Sequence, residues 1–160
     1  ASYFFEKTAV MPEFGYEKPR PRYTEGGEGI MNFHTQNLMG VMDSLKMCKF
    51  TIYGGVSFTE ICEWYEAVTG INTSVQEMAL SGERIFNLKR LYNVRLGLSR
   101  KDDVLPERIL SVPRRDEGTG DYTPDLEPML DEYYGIRGWD EDGMPKQETV
   151  KRLGLDEKFF

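Results

Sequence analysis

A long amphipathic pattern between Ser74 and Leu96 constrains the fold of this 160-residue chain most strongly. Ser74 is followed three residues later by Glu77, the capping-box signature of a helix start, and apolar residues then recur at helical spacing until Gly97. The apolar positions form a stripe too broad for one contact, which predicts a central helix with neighbours on two sides. Gly82 lies inside this pattern. Because Gly costs roughly 1 kcal/mol relative to Ala in a helix, its presence predicts close packing of another backbone at that point.

Similar signals elsewhere in the chain predict about five helices in total. A second capping box, Ser57 and Glu60, starts a helix that ends at about Thr69 and places Cys62 on its apolar side, as a core thiol. Three further helices are predicted at about residues 29–47, 106–112 and 123–135.

The segment 1–29 differs from the rest because it contains three prolines and four glycines. It is predicted to be an extended loop segment whose aromatic side chains lie across the domain. No segment shows the alternation of apolar and polar residues that is typical of a strand. The sequence therefore predicts one all-α, multihelical domain with long loops, covering residues 1–160.

The composition excludes several classes of partner. The chain has 27 acidic and 20 basic residues and a net charge of −7, so it lacks the basic surface that nucleic acid or an anionic membrane requires. Its apolar runs are too short for a membrane-spanning helix, and its amino terminus does not resemble a signal peptide. Two cysteines are too few for a disulfide framework. We therefore expect a cytoplasmic protein.

The stretch with the clearest chemical potential contains Asp43, Met47 and Cys48. Five helical residues turn through about 140° net, so Asp43 and Cys48 cannot share one face of a regular helix. We predict that the helix ends between them, so that a carboxylate in the last turn and a thiolate just beyond it face two neighbouring ligands. The alternative is a solvated Asp43 and a buried core thiol at Cys48.

This stretch resembles the Asp-x-x-Gly-Leu-Cys motif near the carboxyl end of tungsten-containing aldehyde:ferredoxin oxidoreductases, with Lys46 in the place of Gly and Met47 in the place of Leu. The resemblance continues through residues 82–87, 97–108 and 133–140. It implies that Asp43 and Met47 contact a pterin of a bis-pterin tungsten or molybdenum cofactor, and that Cys48 is a ligand of a 4Fe-4S cluster. Gly adopts a positive φ angle easily, whereas Lys does not.

The resemblance also implies a role in a larger enzyme. A 4Fe-4S cluster needs four thiolates, so Cys48 alone cannot hold one, and we predict that the chain is the carboxyl-terminal domain of a larger oxidoreductase and is inactive by itself. The enzyme is expected to oxidise small aldehydes to carboxylic acids and to pass electrons to ferredoxin or another acceptor. The alternatives are a relative that catalyses a reduction, such as aromatic-ring reduction of a thioester, and a non-catalytic helical scaffold or interaction domain.

Other residues with chemical potential have simpler structural interpretations. His34 is given no catalytic role, the acidic pair at 102–103 is interpreted as a charged loop, and Trp139 is interpreted as a packing anchor. Four basic residues of the long helix are predicted to form a solvated face, with the phosphate groups of a pterin as the alternative contact: Arg84, Lys89, Arg90 and Arg95.

Overall fold

The computed structural model describes residues 11–18, 26–113, 115 and 120–155. These residues form seven α-helices and no β-strand: α1 (Glu28–Ser44), α2 (Phe50–Tyr53), α3 (Phe58–Thr69), α4 (Val75–Arg95), α5 (Glu107–Ser111), α6 (Leu126–Arg137) and α7 (Gln147–Arg152). The all-α prediction is confirmed. The helices α2 and α7 were not predicted, because four and six residues are too few to show helical periodicity. Within the described ranges, no helix has the length and apolar character needed to span a bilayer.

Both predicted capping boxes are confirmed. The Ser57 Oγ accepts from the Glu60 N–H at 3.2 Å, and the Glu60 carboxylate accepts from the Ser57 N–H at 2.7 Å. Ser74 and Glu77 repeat this arrangement at 3.2 and 2.8 Å. These hydrogen bonds lower the pKa of both glutamates. The starts of α3 and α4 are therefore determined by contacts within four residues of sequence.

Helices α1 and α4 cross at Gly82 with their backbones in contact. A β-carbon at Gly82 would lie 2.1 Å from the carbonyl oxygen of Asn37, and one at Gly40 would lie 3.5 Å from the carbonyl oxygen of Gly82. The predicted close approach is thus confirmed, and its partner is α1. Helix α1 also packs against α6, where a β-carbon at Gly29 would lie 2.9 Å from the backbone nitrogen of Tyr133.

Two apolar clusters lie on opposite sides of α4, which confirms its predicted central position. The larger cluster joins α1, α3 and the start of α4 through Met11, Met31, Leu38, Val41, Met42, Phe58, Ile61, Cys62 and Met78. The smaller one packs Leu80 and Leu91 of α4 against Val150, Leu153 and Leu155.

The core position predicted for Cys62 is confirmed, since only 6% of its surface is exposed and burial raises the pKa of its thiol. Met11 is buried in the same cluster, and Phe14 and Tyr16 pack against it. The described residues 11–16 of the amino-terminal segment therefore lie across the domain, as predicted, although Pro12–Phe14 form a 3₁₀ turn rather than extended chain. Residues 1–10 and 19–25 lie outside the described residues.

A fully buried arginine links α6 to α1. The Arg137 guanidinium donates to the side-chain oxygens of Asn37 and Gln36, both at 2.7 Å, and to the Tyr133 hydroxyl at 2.9 Å. It also lies over the ring of Phe86, 4.3 Å from the centroid. Burial lowers the pKa of this guanidinium. Because these hydrogen-bond acceptors are neutral, the network orients α6 on α1 without a buried carboxylate.

The prediction of a solvated basic face on α4 is wrong for Arg90. Its side chain is buried and donates to the Gly143 carbonyl at 2.7 Å and to the Asp103 carboxylate at 2.8 and 3.0 Å. The Tyr134 hydroxyl donates to the same carboxylate, and the Arg90 guanidinium lies 4.7 Å from the centroid of a Trp139 ring. Asp103 is therefore a loop residue, as predicted, that also accepts hydrogen bonds from the buried Arg90 and from Tyr134. The packing role predicted for Trp139 is confirmed.

Candidate cofactor site at the end of helix α1

Helix α1 ends at Ser44, between Asp43 and Cys48, as predicted. The Lys46 N–H donates to the Asp43 carbonyl at 3.2 Å, and the Met47 N–H donates to the Met42 carbonyl at 2.9 Å. This pair of hydrogen bonds is a Schellman motif, which ends the helix and turns the chain away from the helix axis. The motif places Asp43 in the last turn and Cys48 just beyond it.

The Schellman motif requires a left-handed residue at the position of Lys46, and its φ angle is +60°. This conformation costs a non-glycine residue roughly 1–2 kcal/mol. Two features hold it in place: the two hydrogen bonds of the motif, and the packing of Met47 on the core cluster that contains Met42. The connector thus keeps the backbone conformation that Gly would adopt more easily, although the residue is Lys.

The connector at residues 45–49 is anchored at both ends. Met47 packs on the larger core cluster, and so do Ile52 and Tyr53 of the following helix α2. The Cys48 carbonyl accepts from the Thr51 N–H at 2.9 Å, which joins the connector to α2. Cys48 itself is exposed and not in a disulfide. Its thiol is therefore accessible on a short segment whose neighbours are fixed by packing.

The donors and acceptors at the end of α1 and on the connector suit partial ligation of a cofactor. Asp43 offers an exposed carboxylate and Cys48 a free thiol. The backbone N–H groups of Cys48 and Lys49 have no acceptor among the residues that the structure describes. The Met47 N–H is used by the helix end, so a contact from Met47 to a ligand must come from its carbonyl or its side chain.

These groups fit one part of a metal site. A thiolate is the ligand type that iron–sulfur clusters use, and a carboxylate accepts hydrogen bonds from N–H groups such as those of a pterin. In the described part of the chain, no group of three or more His, Cys, Asp or Glu side chains could hold a metal ion. Further ligands must therefore come from other protein segments if Cys48 binds a cluster.

Replacing Lys46 with Gly should raise the free energy of unfolding of the 160-residue chain by about 1 kcal/mol, because Gly adopts φ near +60° without steric strain. Urea unfolding followed by circular dichroism measures this difference. Lys49→Gly is the matched control: Lys49 has a right-handed φ of −55°, so Gly relieves no strain there and should not stabilise. Equal effects of the two substitutions would contradict the strain at Lys46.

His34 lies in α1 away from this connector. Its ring stacks on Phe14, with the centroids 4.5 Å apart, and burial together with the charge of Arg137 lowers its pKa. The side chain is thus packed between aromatic groups. The prediction that it has no catalytic role stays a prediction.

A cavity of about 560 Å³ lies between α4, α6 and the loop after the 3₁₀ turn Arg100–Asp102. Its apolar lining residues include Val104, Leu105, Leu126 and Leu130. Its polar lining residues include the Arg90, Asp103 and Tyr134 network and Gln36 of α1. Burial and Asp103 both raise the pKa of Tyr134, so its hydroxyl remains protonated. Gln36 precedes Asp43 by seven residues, which is about 10 Å along a helix.

The buried positions of Arg90 and Arg137 were not predicted from the sequence. Arg90 lies four residues after Phe86, and Arg137 lies four residues after Tyr133, so both positions share a helix face with an aromatic residue. This spacing was a usable signal for burial. Nothing local indicated the partners, because Asn37 is 100 residues from Arg137.

The described residues define an all-helical domain with exposed ligand-type side chains at the end of α1 and on the connector that follows it. A family model described as "Aldehyde ferredoxin oxidoreductase, domains 2 & 3" matches residues 2–155. The chain belongs to this family, as the resemblance implied.

Individual relatives agree with the family model. The chain is 37% identical over 123 residues to the tungsten-containing aldehyde ferredoxin oxidoreductase of Pyrococcus horikoshii, and 36% identical to that of Pyrococcus abyssi. Each alignment covers 76% of this chain and 20% of the relative. A WOR-like subunit of aliphatic sulfonate oxidoreductase from Pyrococcus furiosus is 30% identical over 158 residues, which is 94% of this chain and 22% of the relative. The chain thus spans about a fifth of the length of these curated relatives.

The same fold occurs in a solved structure, the active-site complex BamBC of benzoyl coenzyme A reductase with 1,5-dienoyl-CoA. The superposition has a TM-score of 0.67 and covers 95% of this chain and 24% of the other. The sequences are 20% identical. This similarity establishes the shared fold.

Proposed function

We propose that this chain is the carboxyl-terminal domain of a bis-pterin tungsten or molybdenum enzyme that oxidises small aldehydes to carboxylic acids. The electrons leave through a 4Fe-4S cluster to ferredoxin or another acceptor. In this proposal Cys48 is one thiolate ligand of the cluster, and Asp43 and Met47 contact a pterin. The other cluster ligands and the catalytic groups belong to other parts of the protein.

The observation that carries the proposal is the helix end at Asp43–Cys48 in a chain of this family. The Schellman motif holds a carboxylate and a free thiol on either side of one turn, and the anchored connector limits the movement of both. A rigid ligand loses little conformational entropy on binding, which favours such segments in metal sites. The bound cofactors supply electron transfer, while this chain orients them through Asp43, Met47 and Cys48.

The cavity between α4 and α6 supports a further part of the proposal, in which this domain provides a portion of the wall around the substrate. Its volume of about 560 Å³ suits a small molecule. The apolar lining residues, such as Leu126 and Leu130, would contact an aliphatic or aromatic group. The protonated Tyr134 is one of the polar lining residues and keeps its hydrogen bond to Asp103.

Metal analysis and activity of the full-length protein test the proposal. We expect about four irons and one tungsten or molybdenum per subunit, together with aldehyde-dependent reduction of ferredoxin or of a viologen dye. Both metals without aldehyde oxidation, but with reduction of an aromatic thioester, would replace the proposed reaction with its reductive alternative. Absence of both metals from protein produced with iron, tungsten and molybdenum would instead support the scaffold alternative.

A further inference from the structure

Lys46 places a positive charge on the connector, and the described residues offer it no ion-pair partner. Its side chain is exposed. The other lysine of the connector differs, because the Lys49 ammonium lies over the Phe50 ring, 5.8 Å from the centroid. The left-handed backbone of Lys46 is also strained. Neither packing nor ion pairing thus explains why Lys occupies a position that suits Gly.

We infer that Lys46 tunes the reduction potential of the iron–sulfur cluster through its charge. This inference rests on the proposed function, in which Cys48 is a cluster ligand. A cluster becomes more negative by one charge when it accepts one electron. A fixed positive charge nearby therefore stabilises the reduced form more than the oxidised form and makes reduction more favourable.

The spacing along the chain makes the effect measurable. Two residues span at most about 7 Å between Cα atoms, so the flexible side chain of Lys46 allows its ammonium to approach to about 10 Å from a metal bound at Cys48. At this distance, with an effective dielectric constant of about 20, one charge changes the equilibrium constant for reduction roughly tenfold. For a one-electron couple, that change is about 59 mV.

Three substitutions separate the charge of Lys46 from its backbone conformation. Lys46→Arg keeps the charge, whereas Lys46→Asn and Lys46→Gly remove it. Both Asn and Gly tolerate the left-handed region, so the connector should keep its path. The two neutral variants should lower the equilibrium constant for reduction roughly tenfold, and the arginine variant should leave it close to wild type.

The experiment is a redox titration of the full-length holoenzyme, followed through the visible absorbance and the electron paramagnetic resonance signal of the cluster. Iron content is measured for every variant. Lys151→Gln serves as the control for an equal change of net charge, because Lys151 is an exposed residue of α7, and α7 packs on the smaller apolar cluster whereas the connector packs on the larger one. It should not change the potential measurably.

The outcomes distinguish this inference from the proposed function. A cluster that depends on Cys48 but has the same potential in wild type, Lys46→Asn and Lys46→Gly would overturn the charge role of Lys46 and leave the proposed function intact. An equal shift in Lys46→Arg would also overturn it, because the charge is retained in that variant. Absence of any cluster from the wild-type protein, or a full cluster in Cys48→Ala, would overturn the proposed function and this inference with it.

Discussion

Cys48→Ala in the full-length protein should abolish or strongly reduce cluster binding, with loss of the visible cluster absorbance and of electron transfer to the acceptor. The physical reason is that Ala offers no thiolate, and a 4Fe-4S cluster requires four ligands. Cys48 is exposed, so its replacement leaves no core cavity and the rest of the fold should keep its stability. Iron content per subunit and visible absorbance are the measurements.

Cys62→Ala is the matched control because Cys62 is buried in the core between α1, α3 and α4. This substitution leaves a small cavity and should lower the free energy of unfolding by about 1 kcal/mol, while the iron content stays at the wild-type value. The two substitutions should therefore give opposite results: Cys48→Ala loses iron but keeps its stability, and Cys62→Ala keeps iron but loses stability. A full cluster and wild-type electron transfer in Cys48→Ala would show that Cys48 is not a ligand.

Gly82→Ala should lower the free energy of unfolding by about 3 kcal/mol, near the upper end of overpacking effects. A β-carbon at this position would lie 2.1 Å from the carbonyl oxygen of Asn37 and 2.7 Å from its carbonyl carbon. Both are backbone atoms of α1, so no side-chain rotation can relieve the overlap. Helices α1 and α4 must separate, which weakens the packing of the core cluster between them.

Gly135→Ala provides the control within a helix. Gly135 lies in α6, and a β-carbon there would have no heavy atom within 4 Å. Ala is the better helix former, so this substitution should raise the free energy of unfolding by about 1 kcal/mol. Urea unfolding of both variants measures the difference. Similar effects at the two glycines would contradict the close crossing of α1 and α4.

The candidate site could be predicted only in part. The spacing of Asp43 and Cys48 predicted a helix end between them, and that end is present. The left-handed conformation of Lys46 could not be predicted, because Lys disfavours it and tertiary packing of Met47 helps to stabilise it. The roles of Asp43, Met47 and Cys48 as ligands stay a proposal, since they depend on cofactors that other protein segments must also bind.

The sequence by itself determined the features that depend on contacts within a few residues. The capping boxes at Ser57 and Ser74 determine where α3 and α4 begin. The periodic spacing of apolar residues determined the all-helical class and the core position of Cys62. Such features are encoded locally because their donors, acceptors and packing faces lie within one or two helical turns.

Only the tertiary structure decided which distant groups meet. Arg90 and Asp103 are 13 residues apart, and Arg137 and Asn37 are 100 residues apart. The sequence predicted that some backbone lies against Gly82, but not that it is the backbone of Asn37. The physical reason is that a buried charge or a close helix crossing is stabilised by whichever partner the whole fold brings near. Helical periodicity specifies which face of a helix is buried, but it does not specify which element packs against that face.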